Sequence, residues 1–149
     1  MMRAQGIPTA AAVLGGAGAI PFAAGAAGVW LLEPAWAAHA LDAQVFYGVT
    51  ILAFLGAVHW GVALSEGPDT DRLWPRLAWS VTPALIAWAA AMMTALPALV
   101  TLMAGLGVAY VVDLRARDRG DLPPWYLDLR RRLTAVALLA LGASLLRVV

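Results

Sequence analysis

The feature that most constrains this chain is an apolar stretch from Tyr47 to Leu64 that contains a single histidine, His59. A helix needs about 17–25 predominantly apolar residues to cross a bilayer, and this stretch is long enough. Ionisable side chains are costly inside a membrane and are usually kept there for a function. His59, with Trp60 beside it, is therefore the first candidate for a functional residue.

The composition is that of a membrane protein rather than of a soluble domain. Of the 149 residues, 62% are hydrophobic and 13% are charged, whereas soluble domains have about 45–50% and about 25%. The chain contains no cysteine, which excludes disulfides and thiolate metal sites. The net charge of +1, without a basic face interleaved with aromatic side chains, indicates no nucleic-acid partner. We expect the lipid bilayer to be the main partner of the surface.

Five apolar segments follow one another along the chain, and each is long enough, or nearly so, to span the bilayer. Backbone groups in lipid must be hydrogen-bonded within their own segment, so helices are expected rather than strands. The prediction is an all-α polytopic membrane protein, a single domain formed by a bundle of five transmembrane helices. The predicted spans are residues 7–32, 43–65, 76–94, 98–114 and 133–149.

The first segment admits a second interpretation, a cleaved signal peptide, because Ala35-Trp36-Ala37 resembles a signal-peptidase site. Its apolar run is much longer than the about 7–15 residues of a signal peptide, so we expect a retained helix. Small residues recur at every fourth position, which predicts close packing against another helix. This stripe consists of Ala11, Gly15, Ala19 and Ala23.

The arginines predict the orientation in the membrane, because they lie almost entirely in the connections on one side. The opposite connections, residues 33–42 and the turn near Leu96 and Pro97, contain no lysine or arginine. By the positive-inside rule the N-terminus is cytoplasmic and the C-terminus is periplasmic. Arginine as the sole basic residue type, with abundant alanine and glycine, is typical of a GC-rich bacterium, so we expect the bacterial inner membrane. The cytoplasmic arginines are Arg3, Arg72, Arg76, Arg115, Arg117, Arg119, Arg130, Arg131 and Arg132, and Arg147 alone departs from the pattern.

Depth along the helices predicts one polar cluster near the cytoplasmic side. At a rise of 1.5 Å per residue, His59 lies about 24 Å inward from the start of the second predicted helix at Ala43. The fourth helix runs inward to Asp113, which shares a stripe with Gly105 and Ala109 that favours close packing. A histidine beside a carboxylate is a candidate proton or ligand site, and a hydrogen-bonded packing role is the alternative. The residues expected to converge are His59, Trp60, Ser80, Thr82, Tyr110 and Asp113.

The connection from Arg115 to Arg132 is predicted to be a surface loop. Pro123 and Pro124 interrupt any helix there, and the aromatic residues after them have the placement of interfacial side chains. This loop would either lie on lipid headgroups or dock a partner protein. The residues assigned to docking are Trp125, Tyr126 and Arg130.

The sequence contains no recognised pattern for catalysis, metal binding or a cofactor. It lacks the serine-hydrolase, zinc-protease and phosphate-loop motifs. His39 and His59 are predicted to lie about 30 Å apart along the chain, which excludes a bis-histidine haem. We therefore predict no catalytic residue, no metal site and no cofactor.

Several short motifs occur together in an order that resembles one family of membrane proteins. They are Tyr47-Gly48, Gly56-Ala57-Val58-His59-Trp60-Gly61, Ser80-Val81-Thr82-Pro83-Ala84-Leu85-Ile86-Ala87-Trp88, Tyr110-Val111-Val112-Asp113 and Pro124-Trp125-Tyr126-Leu127-Asp128-Leu129-Arg130. In this order they resemble the family called domain of unknown function 3429, over most of the chain. The resemblance implies an energy-converting membrane as the setting and implies no particular activity. It also implies that family motif positions are occupied by His59, Trp60, Pro83, Trp88, Asp113, Trp125 and Tyr126.

The function predicted from these features is non-catalytic. Small size, small-residue helix faces and the lack of a catalytic pattern favour an accessory or assembly subunit that docks on a larger membrane complex or on copies of itself. The alternative is a binder or carrier of a small molecule, a quinone, a lipid or a proton, that uses the region of His59 and Asp113. A membrane enzyme is the third hypothesis.

Overall fold

A computed structural model describes residues 6–68 and 71–149 of the chain. This part is all-α, as predicted, and has no strand among its residues. Arg3, one of the arginines that predict the orientation, lies outside the described residues. The helices are α1 (Thr9–Leu31), α2 (Pro34–Glu66), α3 (Leu73–Ala91), α4 (Ala95–Asp118) and α5 (Pro124–Val148).

Four helices begin earlier than their apolar segments indicate: α3 and α4 by three residues, and α2 and α5 by nine. α2 begins at Pro34 rather than at Ala43, and α5 begins at Pro124 rather than at Leu133. Proline is favoured in the first turn of a helix, where its missing N–H has no intrahelical partner to lose. The alanine-rich turns after Pro34 also have high helix propensity. Helix formation therefore extends beyond the apolar run.

The predicted surface loop at residues 115–132 is corrected by these bounds to a short connection. α4 continues to Asp118 and α5 starts at Pro124, so two prolines that were expected to break a helix instead initiate one. The chain turns at Gly120, whose φ of 82° is a conformation that residues with a Cβ rarely adopt. Gly67, with φ of 80°, ends α2 in a similar way.

The helices form a closed ring with one additional contact across it. Each helix packs against the next in chain order, and α5 packs back against α1. α2 and α4 also contact each other across the ring. Residues on the inward faces of these two helices are therefore brought together at the centre of the bundle.

The molecule is apolar on its outside as well as in its core. Leucines such as Leu52, Leu99 and Leu141 are fully buried, whereas Trp74 and Trp88 are 82% and 65% exposed. An outer surface of this kind needs lipid as its solvent. Within the described ranges, α1, α2 and α4 are long and apolar enough to cross a membrane. The chain is thus a multi-pass membrane protein.

Glycines allow the close helix approaches that fix the centre of the bundle. A Cβ at Gly56 of α2 would overlap the carbonyl oxygen of Ser80 on α3, and a Cβ at Gly105 of α4 would lie 2.6 Å from Leu52 of α2. These contacts hold α2 against both α3 and α4.

The small-residue stripe predicted on α1 is only partly the packed face. Gly15 lies against Leu129 and Leu133 of α5, but Ala23 is exposed. The buried face of α1 instead consists of Phe22, Gly25, Gly28 and Val29.

Candidate functional site

His59 and Asp113 meet at the centre of the bundle. Nε2 of His59 on α2 lies 2.8 Å from Oδ1 of Asp113 on α4, so a protonated Nε2 donates to the carboxylate. The two residues are 4% and 1% exposed. His59 and Asp113, which were expected to lie at a similar depth, are thus in direct contact.

The second oxygen of Asp113 is bonded to a residue that was assigned to docking. Nε of Arg130 on α5 donates to Oδ2 of Asp113 at 2.9 Å, and Nη1 of Arg130 donates to Oγ1 of Thr134 at 3.0 Å. Arg130 is only 5% exposed. Asp113 therefore joins α2 to α5, and we call His59, Asp113, Arg130 and Thr134 the central cluster.

Local sequence spacing explains why these side chains point inward. Asp113 lies one helical turn from Ala109 and two turns from Gly105, and all three are buried. On α5, Arg130 and Thr134 are one turn apart on the buried face that includes Leu127 and Ala137. His59 has the ring of Trp79 of α3 against it, with ring centroids 6.5 Å apart in an edge arrangement. The four side chains of the cluster are all buried in this packing.

The other residues predicted for this cluster are not bonded to it. Ser80 donates to Leu77 O and Thr82 donates to Ala78 O, each within α3. Tyr110 packs on a separate apolar group formed by Ala116, Leu122 and Leu127. Trp60 is 44% exposed. The structure therefore joins His59 and Asp113 and leaves the other four predicted residues outside their hydrogen bonds.

Trp125 and Tyr126 lie in the first turn of α5 and are half-buried rather than displayed on a loop. Their rings contact each other edge to face, with centroids 6.2 Å apart. Both line an apolar cleft of about 340 Å³ between α1, α2 and α5. The aromatic pair therefore forms part of the wall of this cleft.

Two polar residues stand out on this apolar cleft. Arg130 and Tyr126 both line it, and Nη2 of Arg130 and the hydroxyl of Tyr126 are buried without a hydrogen-bond partner in the described part of the chain. Unsatisfied buried donors are uncommon because each forfeits its hydration. The wall of the cleft thus contains two buried donors, which have almost no accessible surface themselves, among apolar side chains that include Phe22, Leu106 and Leu133.

A second group of charged side chains links the α2–α3 and α4–α5 connections at the arginine-rich end of the bundle. Arg76 pairs with Glu66, and its Nη2 lies 2.8 Å from Oδ2 of Asp121. Arg119 donates through Nε to the same oxygen at 3.1 Å. Burial raises the pKa of the Asp121 carboxyl, but the hydrogen bonds and charges of Arg119 and Arg76 lower it by more, so the pKa lies below its ordinary value.

Sequence reasoning missed Arg130 in the central cluster and the whole of this second group. The available signal for Arg130 was its spacing of three, four and seven residues from the buried positions Leu127, Thr134 and Ala137. The signal for Asp121 was that the α2–α3 and α4–α5 connections were predicted to lie on the same side of the membrane.

Among the described residues, no group of three or more histidine, aspartate or glutamate side chains could hold a metal ion.

Comparisons with known proteins agree with this architecture. A family described as Protein of unknown function (DUF3429) matches residues 7–146. Transmembrane protein 69 of Xenopus tropicalis is 38% identical over 146 residues, which cover 93% of this chain and 54% of that protein. Transmembrane protein 69 of Mus musculus is 35% identical over 105 residues, which cover 69% of this chain and 42% of that protein.

The chain spans about half the length of these curated relatives. No solved structure matches it. The family match extends over nearly all of the helical bundle, including both residues of the His59–Asp113 pair. The chain therefore belongs to the membrane-protein family of unknown function, DUF3429.

Proposed function

We propose that this protein is a non-catalytic binder of a lipid-like molecule whose headgroup presents an oxygen acceptor. The observation that supports it is the pair of unpartnered buried donors, Nη2 of Arg130 and the hydroxyl of Tyr126, on a cleft that is otherwise apolar. A carbonyl or carboxylate oxygen would satisfy both donors. An acyl or isoprenoid tail would fill the remainder of the cleft.

The central cluster suits this role because it fixes the guanidinium before any ligand arrives. Asp113 holds Nε of Arg130 and Thr134 holds Nη1, so only Nη2 is left to donate. His59 in turn holds the other oxygen of Asp113. A donor that is positioned in advance loses little conformational freedom on binding, which favours affinity.

The setting that we propose is a bacterial inner membrane crossed by all five helices, with a cytoplasmic N-terminus and a periplasmic C-terminus. The positive-inside distribution of arginine supports it. Because the chain contains no cysteine, single-cysteine labelling tests it directly. A membrane-impermeant maleimide is expected to label Glu33→Cys from the periplasm, and Asp118→Cys only after the cells are opened. The reverse pattern would refute the orientation.

Tyr126→Phe tests the binding function because it removes one unpartnered donor and little else. Oleate and decylubiquinone serve as probes with a carboxylate and a carbonyl headgroup, and affinity is measured by calorimetry in mild detergent. Affinity for the preferred probe should fall roughly three- to tenfold. The unfolding temperature should stay unchanged or rise, since the lost hydroxyl had no partner.

Tyr110→Phe is the matched control, because Tyr110 does not line the cleft. It should leave the affinity for both probes unchanged. The proposal fails if neither probe binds, or if Tyr126→Phe and Tyr110→Phe have the same effect. A preference for oleate or for decylubiquinone identifies the headgroup class.

An accessory subunit of a larger membrane complex is the second candidate function. The exposed aromatic side chains of α3, Trp74 and Trp88, support it, although lipid also satisfies such side chains. Native mass spectrometry after gentle solubilisation tests it. Stoichiometric co-purification of other subunits would support the accessory role, whereas a protomer that carries a lipid-like mass would support the binder.

A further inference from the structure

A second cavity, of about 390 Å³, lies at the arginine-rich end of the bundle. Its wall is strongly basic and carries one aromatic ring beside the histidine of the central cluster. The residues that matter here are His59, Arg72, Arg76, Trp79, Arg115 and Arg119. Four guanidinium groups around one opening are unusual in a chain with so few charges.

The ion pairs of these arginines do not neutralise the cavity. In the described part of the chain, the paired carboxylates are Glu66 with Arg76, and Asp121 with Arg72, Arg76 and Arg119. Two carboxylates thus face four guanidinium groups, and neither carboxylate lines the cavity. Among the described residues, the wall of the cavity therefore carries an excess of positive charge.

Arg115 shows this excess most clearly. It lines the cavity, and its side chain forms no ion pair or hydrogen bond within residues 6–68 and 71–149. Its neighbour Arg117, in contrast, bonds to Asp118 at 2.8 Å and is not part of the wall. An arginine fork presents parallel N–H donors that match the oxygens of a phosphate.

We infer that this cavity binds a phosphate group, carried either by a soluble phosphate compound or by a lipid headgroup. A volume of about 390 Å³ is large enough for a phosphate and its substituent. Arg115 and Arg119 provide donors that no carboxylate of the described residues fully occupies. The site is distinct from the apolar cleft, because the two share no lining residue. Asp113 links the walls of the two cavities, because it bonds His59 on one side and Arg130 on the other.

The test uses two probes on the full chain. Inorganic pyrophosphate is titrated by calorimetry into the protein in a neutral detergent. Separately, the unfolding temperature is measured in phosphatidylcholine nanodiscs with and without phosphatidic acid, since a ligand that binds the folded state raises it. The variant is Arg115→Gln and its matched control on the same helix is Arg117→Gln.

Binding of pyrophosphate that weakens about tenfold or more in Arg115→Gln, but not in Arg117→Gln, supports the site and a soluble source. Stabilisation by phosphatidic acid alone, with the same dependence on Arg115, supports it and a lipid source. No response to either probe, or equal losses in both variants, overturns the inference. Should Arg115→Gln itself lower the unfolding temperature, Arg72→Gln replaces it, because Arg72 is exposed and lies 3.7 Å from its one paired carboxylate.

Tyr126→Phe separates this inference from the proposed function. It should leave the affinity for pyrophosphate unchanged, because Tyr126 is not part of the basic cavity. If the unaltered protein binds neither oleate nor decylubiquinone but still binds pyrophosphate, this inference stands while the cleft proposal fails.

Discussion

Asp113 on α4 and Arg130 on α5 form an ion pair of 2.9 Å in which both side chains are almost completely buried. Taking two charges out of water is costly, and the pair repays this cost only when its remaining groups are also bonded. His59 and Thr134 provide those bonds, apart from Nη2 of Arg130. The pair therefore couples the positions of α2, α4 and α5.

Asp113→Ala is expected to destabilise the protein by about 3–5 kcal/mol, because it leaves the guanidinium of Arg130 buried without a counter-charge. Unfolding in detergent, followed by heat or denaturant, measures the change. Combining Asp113→Leu with Arg130→Met should recover part of the loss, since no unpaired charge then remains.

Asp128→Ala is the control for this prediction. Asp128 lies 3.8 Å from Arg131 in an exposed pair, and exposed pairs contribute about 0–1 kcal/mol. Equal losses in Asp113→Ala and Asp128→Ala would contradict the buried position of the central pair.

The pairing of His59 with Asp113 was predictable because two simple rules determine depth. The helical rise converts residue number into distance, and alternating helix direction places the end of α4 at the level of the inner part of α2. The glycines on both helices then favour close approach. Side-chain partners are harder to predict in this way: Ser80 and Thr82 were expected at the depth of Asp113, but each bonds to a backbone oxygen of its own helix.

The buried position of Arg130 was not predictable from its charge. It belongs to the run Arg130, Arg131 and Arg132, in which the second and third members are exposed and the first is buried. Charge alone does not distinguish the three. The start of α5 at Pro124 sets the helical phase, and the apolar run of α5 gave no sign that the helix began so early.

Gly56→Ala is expected to destabilise the bundle by roughly 1–3 kcal/mol, in the range for overpacking of a tight interface. The added Cβ would overlap the backbone oxygen of Ser80, and a backbone atom cannot rotate away as a side chain can. The unfolding temperature in detergent measures the change.

Gly61→Ala provides the control on the same helix, because nothing lies within 4 Å of a Cβ at that position. Its stability should be unchanged or up to about 1 kcal/mol higher, as for a glycine replaced in an open helical position. A loss at Gly61 as large as that at Gly56 would show that the contact with Ser80 is not the cause.

The lowered pKa of Asp121 predicts that the stability of the protein depends on pH. The net effect of burial and of the bonds from Arg119 and Arg76 is to lower its pKa below the ordinary 3.8. A lowered pKa means that the folded state favours the carboxylate, so its contribution to stability is present above the unfolded pKa and is lost as the pH falls through the folded pKa.

Asp121→Asn should be less stable than the unaltered chain at pH 7. Its unfolding temperature should fall less steeply on acidification from about pH 5, so that the two profiles converge. Asp118→Asn, which removes an exposed partner of Arg117, should keep the steep acid profile, and parallel profiles for Asp121→Asn and the unaltered chain would contradict the role assigned to Asp121.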